Sequence, residues 1–360
     1  MATLPIELYQ EILEHVDRRR DLCSLIRVAQ TLRAPAQARL YRAIEVRRHD
    51  HTDAFCRAIL QATHLGALVL SLTISSDEQW RLGDLWQFQS AMPQVWYNIA
   101  RALRKMPRLE VLRIKSGPHA NENSWVLKEC PFLLKEFQCD FTFGNELITF
   151  LRTQPRISSM SWIDPDKQRG RSERAIDQSA FLAEGDLPVL RRLVTNSTTF
   201  AVAVVPGRPI TTLRVLSEAI GENLGPSIGA STGPLHCLDI VFPFHQQEAT
   251  QRFLSDLVRQ APHLRTLGAI KLRRTNVRQI FDALGALRDL RTLVLWDRVD
   301  QQTLVSLEAA CPSLEAIVCL FQDGMHGHFV RIPMNPIREP QLVRGRGSSP
   351  LEGPITEHVS

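Results

Sequence analysis

The 360-residue sequence lacks any long apolar run. No segment approaches the roughly 18 uninterrupted apolar residues that a membrane-spanning helix requires. Glu7 and Glu11 interrupt the N-terminal stretch, where a secretory signal would be uncharged. The seven cysteines are odd in number and include no CxxC pair, which disfavours a disulfide framework. These absences predict an intracellular protein, cytoplasmic or nuclear, with no membrane partner.

The sequence also lacks the motifs that carry chemistry. It contains no GxGxxG, GxxxxGK[ST], GxSxG or HExxH. The His-x-His pairs at His49/His51 and His326/His328 have no further ligand at metal spacing. We therefore expect a protein that is not an enzyme, with no catalytic residues, no cofactor and no metal site.

Charge of either sign is not concentrated in one block. The sequence has 43 Lys and Arg against 38 Asp and Glu, a formal net charge of +5. Dedicated nucleic-acid binding requires basic residues clustered on one face, so no nucleic-acid partner is expected. The hydrophobic content of 44% is that of an ordinary soluble globular protein.

The first fifty residues predict three short helices. Leu8, Ile12, Leu13 and Val16 recur with helical spacing, together with Tyr9, and predict one apolar stripe. Asp21 is a candidate N-cap for a second helix. A third apolar piece covers residues 36–44. Three such helices bury little surface alone, so they either cap the rest of the chain or bind a partner.

The same segment resembles the F-box motif. The resemblance is carried by Leu4-Pro5-x-Glu7-Leu8-x-x-x-Ile12, by Asp21-Leu22-x-x-Leu25-x-x-Val28, and by Leu40-Tyr41-Arg42. It implies a small helical bundle that docks a Skp-family adaptor and, through it, a cullin-based ubiquitin ligase. The chain departs from the family after Val28, because the tryptophan that often ends the second helix is missing. By resemblance, the adaptor-binding residues are Leu4, Pro5, Ile6, Leu8, Ile12, Leu25, Val28 and Leu40.

The remainder of the sequence repeats. Leu-x-x-Leu, or an apolar equivalent, begins at successive intervals of 25, 23, 33, 23, 22, 29, 26 and 24 residues, and most of these fall in the leucine-rich-repeat window of 20–29. A third apolar residue often follows two positions later, as in a short strand. The pairs are Leu109/Leu112, Leu134/Phe137, Ile157/Met160, Leu190/Leu193, Leu213/Leu216, Leu235/Leu238, Leu264/Leu267, Leu290/Leu293 and Leu314/Ile317.

Helical apolar faces precede several of these strands, and five pairs have a proline two residues before them, as in Met106-Pro107-Arg108-Leu109. The pattern resembles the irregular leucine-rich repeats of many fungal F-box proteins. No consistent asparagine follows the strands, so we expect an irregular array. The segment 64–74 is expected to supply its first strand, and the polar segments 164–179 and 217–234 are expected to be loops.

The predicted fold class is α/β, with a short N-terminal F-box helical bundle followed by an irregular leucine-rich-repeat (strand–helix) solenoid. The predicted domains are an F-box at 1–48, the repeat domain at 49–332 and a disordered tail at 333–360. The F-box resemblance implies a substrate-recognition adaptor of an SCF-type ubiquitin ligase, with an unknown protein substrate bound by the array. The alternative is a repeat scaffold without a ubiquitin-ligase role, in which the N-terminal helices cap the solenoid. An α/β domain with coincidental leucines also remains open.

Overall fold

The structure, a computed structural model, describes residues 5–28, 30–75, 85–116, 122–164, 167, 182–217, 223–240, 247–270, 277–296, 300–323, 326–334 and 341–343. The chain forms two compact units, Met1–Val189 and Leu190–Ser360. Among the described residues, no helix is both long enough and apolar enough to cross a membrane.

The first unit begins with three helices and continues as strands separated by helical segments. The helices are α1 (Ile6–Glu14), α2 (Arg19–Val28), α3 (Gln30–Arg42), α4 (His49–Gln61), α5 (Thr63–Gly66), α6 (Leu85–Leu103), a 3-10 helix (Asn123–Leu127) and α7 (Asn145–Arg152). The strands are β1 (Ala43–Val46), β2 (Ser71–Ser75), β3 (Val111–Lys115), β4 (Glu136–Cys139) and β5 (Ser159–Trp162).

The five strands of the first unit pair in parallel and in chain order. Their register aligns one buried apolar row, which consists of Ile44, Leu72, Leu112, Phe137 and Met160. Because side chains alternate along a strand, the residues on either side of this row point to the opposite face of the sheet.

The second unit repeats the arrangement. Its parallel strands are β6 (Arg192–Thr195), β7 (Thr212–Val215), β8 (Cys237–Ile240), β9 (Thr266–Ile270), β10 (Thr292–Trp296) and β11 (Ala316–Asp323). Its helices are α8 (Thr198–Val204), α9 (Leu224–Gly229), α10 (Gln247–Gln260), α11 (Val277–Gly285) and α12 (Gln301–Ala310). Two antiparallel strands follow at one edge, β12 (His326–Pro333) and β13 (Gln341–Val343).

A recurrent turn joins several of the helical segments to the next strand. The N–H of Leu109 donates to the carbonyl of Met106 at 3.2 Å, and that of Leu264 donates to Ala261 at 3.2 Å. The N–H of Leu314 donates to the carbonyl of Cys311 at 3.0 Å. In these three turns proline is the second residue, where its fixed φ suits a type I turn. The proline therefore ends the helix and sets the direction of the chain into the strand.

Buried polar side chains follow several strands, where the sequence showed no consistent asparagine. The carboxylate of Asp140 accepts from the N–H and the hydroxyl of Ser116 in the neighbouring repeat, at 2.7 and 2.8 Å. Such bonds satisfy backbone groups that would otherwise be buried without a partner. The buried polar residues at these positions are Ser116, Asp140, Asp164, Asn196 and Ser217.

The α/β class, the N-terminal helical region and the strand–helix repeat are confirmed. Each repeat contributes one parallel strand and one helical segment, which is the leucine-rich-repeat arrangement. The predicted pair Leu213/Leu216 was wrong by three residues. Leu216 is 39% exposed, whereas Ile210 is fully buried and takes the first position of that repeat. The alternation of Leu213 and Val215 along β7 fixes this register.

Three further expectations differ from the structure. The first strand is β1, which begins inside the segment expected to be the third helix, and in 64–74 only residues from Ser71 onward form a strand. The segment 217–234 contains α9 because Leu224 and Ile228, four residues apart, bury a common face. Strand β13 lies within 333–360, the segment for which disorder was predicted; 335–340 and 344–360 are outside the described residues.

Candidate functional site

The three N-terminal helices enclose a small core of their own. Leu13 of α1, Leu22 of α2 and Ala36 of α3 are its buried members. Helices α1 and α2 both pack on α3. Pro5 precedes α1, and its carbonyl accepts from the N–H of Leu8 at 3.1 Å, which closes the first turn. The half-buried residues that pack against this core are Val16, Leu25, Ile26 and Leu40.

Three apolar side chains of α1 and α2 point away from that core. Leu8 is 41% exposed, Ile12 is 53% exposed and Val28 is 78% exposed. Pro5 is exposed as well. The stripe expected along α1 is therefore divided, because Leu13 faces the core while Leu8 and Ile12 face outward. We call Pro5, Leu8, Ile12 and Val28 the docking surface.

The other predicted adaptor-binding residues have different surroundings. Leu25 and Leu40 are half-buried and pack against the small core. Leu4 and the side chain of Ile6 lie outside the described residues. The candidate N-cap Asp21 lies inside the first turn of α2, since that helix begins two residues earlier, at Arg19.

A hollow adjoins the docking surface between the end of α1 and α2. Its apolar lining residues are Val16, Leu25 and Val28. Its polar lining residues include Asp17 and Asp21. The hollow therefore combines apolar side chains with acidic groups. The remaining lining residues are His15, Arg18 and Ser24.

The helices are joined to the first repeats through α3. That helix packs against β1 and α5, and Leu70, just before β2, donates its N–H to the carbonyl of Arg42 at 2.9 Å. The Arg19 guanidinium of α2 donates to the carbonyl of Ala43 at 2.8 Å. One face of the bundle is thus occupied by the repeats, and the docking surface lies outside these contacts.

The outward face of the first sheet is polar. The register places Thr73, Arg113, Gln138 and Ser161 in one half-exposed row. The Arg113 guanidinium donates to a carboxylate oxygen of Glu136 at 2.8 Å. This face of the first sheet therefore presents hydrogen-bonding side chains.

Two cysteines of the described part of the chain are shielded from solvent. Burial raises the pKa of the Cys56 and Cys130 thiols to about 12, so both stay protonated near neutral pH. No group of three or more potential metal ligands occurs among the described residues. Trp96 is buried edge-on against Phe141, with ring centroids 5.9 Å apart, and belongs to the core.

Comparisons with known proteins do not assign a family. No family model and no curated protein matches the sequence. Among solved structures, the leucine-rich repeat-containing protein LegL7 from Legionella pneumophila is similar, with a TM-score of 0.47, 12% identity, and coverage of 79% of this chain and 87% of that one. Rad7 in its yeast complex with Elc1 gives a TM-score of 0.40, 13% identity and 87% coverage of both chains. The repeat fold is shown by the chain's own strand register and turns.

Proposed function

We propose that this chain is a substrate-recognition adaptor without catalytic activity of its own. Its docking surface binds a Skp-family adaptor, which connects it to a cullin-based ubiquitin ligase, and its repeats bind a protein substrate. The observation that carries the proposal is the outward placement of Leu8, Ile12 and Val28 on helices that already have a buried core. A segment that served only to cap the repeats would bury its apolar residues against them.

The energetics favour a partner at this surface. Removing apolar area from water yields about 25 cal/mol per Å², and full burial of a Val, Leu or Ile side chain yields about 1.5–3 kcal/mol. The three side chains are 41–78% exposed. Together they therefore offer roughly 2.5–5 kcal/mol to a partner that covers them. That contribution is partly offset by the loss of translational and rotational freedom on association.

The alternative function is a repeat scaffold for which the N-terminal helices serve only as a cap. It is favoured by the packing of α3 on β1 and α5, which makes α3 part of the first unit. That packing involves α3, whereas the docking surface lies on α1 and α2. The two functions therefore differ in whether the docking surface is needed for binding a partner.

The test is capture of the purified chain by an immobilised Skp-family adaptor. The double variant Leu8→Asp/Ile12→Asp introduces two charges at exposed positions, so it should fold but lose capture. The matched control is Val305→Asp, since Val305 of α12 is 58% exposed and distant in sequence from the docking surface. Circular dichroism of all three proteins checks folding.

Capture of the wild type and the control, but not of the double variant, is the expected result. Capture of all three proteins would show that the adaptor binds elsewhere. Failure to capture the folded wild type would leave the scaffold function. An unfolded double variant would show that Leu8 and Ile12 belong to the chain's own core, which contradicts their outward placement.

A further inference from the structure

The residues just before the strands of the second unit form a continuous edge. Each strand-preceding residue donates its N–H to the carbonyl of the equivalent residue in the repeat before it. The bonds from Arg265 to His236, from Arg291 to Arg265 and from Glu315 to Arg291 all measure 2.8 Å. Side chains at these positions are therefore held at adjacent-strand spacing, about 4.8 Å apart at the backbone.

Exposed arginines lie at both ends of this edge, and its two middle positions are Thr211 and His236. We call the set the basic edge, and its members are Arg191, Arg192, Arg265, Arg288 and Arg291. Two carboxylates interrupt it: Glu315 accepts from Arg291 at 3.2 Å, and Asp289 lies 3.0 Å from the ring nitrogen of His263. Within the described part of the chain, Arg191, Arg265 and Arg288 form no ion pair with a carboxylate. The charges of Arg265 and Arg291 nevertheless help to lower the pKa of the neighbouring Asp289 carboxyl, so Arg265 is shared with that group, whereas Arg191 and Arg288 have no carboxylate partner among the described residues.

The helix dipole does not explain these arginines. Cations stabilise a helix near its last turn, and the effect fades beyond that turn. Helix α10 ends at Gln260 and α11 ends at Gly285, whereas Arg265 and Arg291 lie on the far side of the following turns. Both side chains are solvent-exposed, so they do not contribute to the core either.

We infer that the basic edge binds an extended acidic segment of a protein. The inference rests on the proposed function, because it says that the protein substrate bound by the repeats carries an acidic segment. From β6 to β10 the edge crosses four strand spacings, about 19 Å. An extended polypeptide advances about 3.3 Å per residue, so a segment of about six residues spans the edge. Its carboxylates would lie against Arg191, Arg265 and Arg288.

A polypeptide fits this edge better than a nucleic acid. A phosphate backbone carries charge at every step, so it would place anions against both Asp289 and Glu315. The hydrogen bond from His263 holds the pKa of the Asp289 carboxyl below its usual range, which keeps that group ionised near neutral pH. An acidic polypeptide can place uncharged or hydrogen-bond-donating residues opposite the two carboxylates.

The experiment measures binding of a fluorescein-labelled octaglutamate peptide to the full chain by fluorescence polarisation. The test variant is Arg265→Glu/Arg288→Glu. The matched control is Arg108→Glu/Arg156→Glu, which reverses the same number of charges at exposed turn positions of the first unit. Triglutamate tests the predicted length, and a DNA duplex tests the class of polyanion. Capture by the Skp-family adaptor is scored on the same protein samples.

We expect octaglutamate to bind more tightly than triglutamate or duplex DNA. The test variant should weaken octaglutamate binding roughly tenfold and the control less than about twofold, since exposed ion pairs contribute little individually but add along an edge. Binding should be largely lost at about 1 M salt, where the Debye length is about 3 Å. Equal weakening by both variants, tighter binding of DNA, or no binding of octaglutamate would each overturn the inference. Because adaptor capture is scored separately, such a failure is distinguishable from failure of the proposed function.

Discussion

Gln154 connects two consecutive repeats, and its replacement gives a quantitative test of how they hold together. The side chain is 1% exposed. Its carbonyl oxygen accepts from the N–H of Leu134 at 2.9 Å, and its amide donates to the carbonyl of Phe132 at 3.2 Å. Gln154→Ala leaves both backbone groups buried without these partners, at about 1–3 kcal/mol for an unsatisfied group. For the two groups together we expect the free energy of unfolding to fall by about 2–6 kcal/mol, and the small cavity adds to this loss.

The assay is urea unfolding followed by tryptophan fluorescence. Gln154→Met separates the two contributions, because methionine restores most of the volume but neither hydrogen bond; it should therefore remain destabilised by at least about 1 kcal/mol. Gln302→Ala, at an exposed position of α12, should change stability by less than about 0.5 kcal/mol. A loss below about 0.5 kcal/mol for Gln154→Ala would refute the bridging role.

Three further predictions concern packing, register and thiol reactivity. Gly66→Ala should lower the free energy of unfolding by more than about 1 kcal/mol, because an added Cβ would overlap the backbone carbonyl oxygen of Lys105; an unchanged urea midpoint would contradict that contact. Ile210→Ala should lower the free energy of unfolding by about 2–5 kcal/mol, whereas Leu216→Ala should lower it far less. The reverse order in thermal unfolding would show that Leu213/Leu216 is the correct pair. In the native protein Cys23 should react with a thiol reagent first, since it is exposed. Mass spectrometry of the labelled peptides measures the order, and earlier labelling of another cysteine would contradict the prediction.

Most of the repeat could be predicted because its pattern is strongly redundant. A typical repeat combines a buried leucine or isoleucine, a proline turn and an alternating strand. A repeat that lacks one of these features can therefore still be recognised by the other two. The register of β7 could not be settled by that pattern, because Ile210, Leu213 and Leu216 are spaced three residues apart and allow two overlapping pairs. Only burial distinguishes them, since Leu216 is exposed and Ile210 is not.

Strand β1 was missed for a different reason. Ala43–Val46 is four residues long, too short to break a helical pattern that continues through α3. Its alternation of exposed and buried residues becomes decisive only when Ile44 pairs with Leu72 of β2. The pairing partner is 28 positions away along the chain. Local propensity carries no information about such a contact.

The candidate site shows the same division between local and tertiary information. Helical spacing predicted an apolar face on α1 correctly, but it could not distinguish Leu13, which faces the small core, from Ile12, which faces outward. That distinction depends on where α2 and α3 lie. The bond between Asp140 and Ser116 was equally hidden, since the two residues are 24 positions apart and neither belongs to a recognisable motif.

The central claim is that Leu8, Ile12 and Val28 form a docking surface for another protein. It is tested most directly by isothermal titration calorimetry of the full chain with a purified Skp-family adaptor at several temperatures. We predict saturable binding with a negative heat-capacity change, the mark of apolar burial, and its loss in folded Ile12→Asp. Absence of binding heat with the folded wild-type chain, or equal affinity for Ile12→Asp, would contradict the claim.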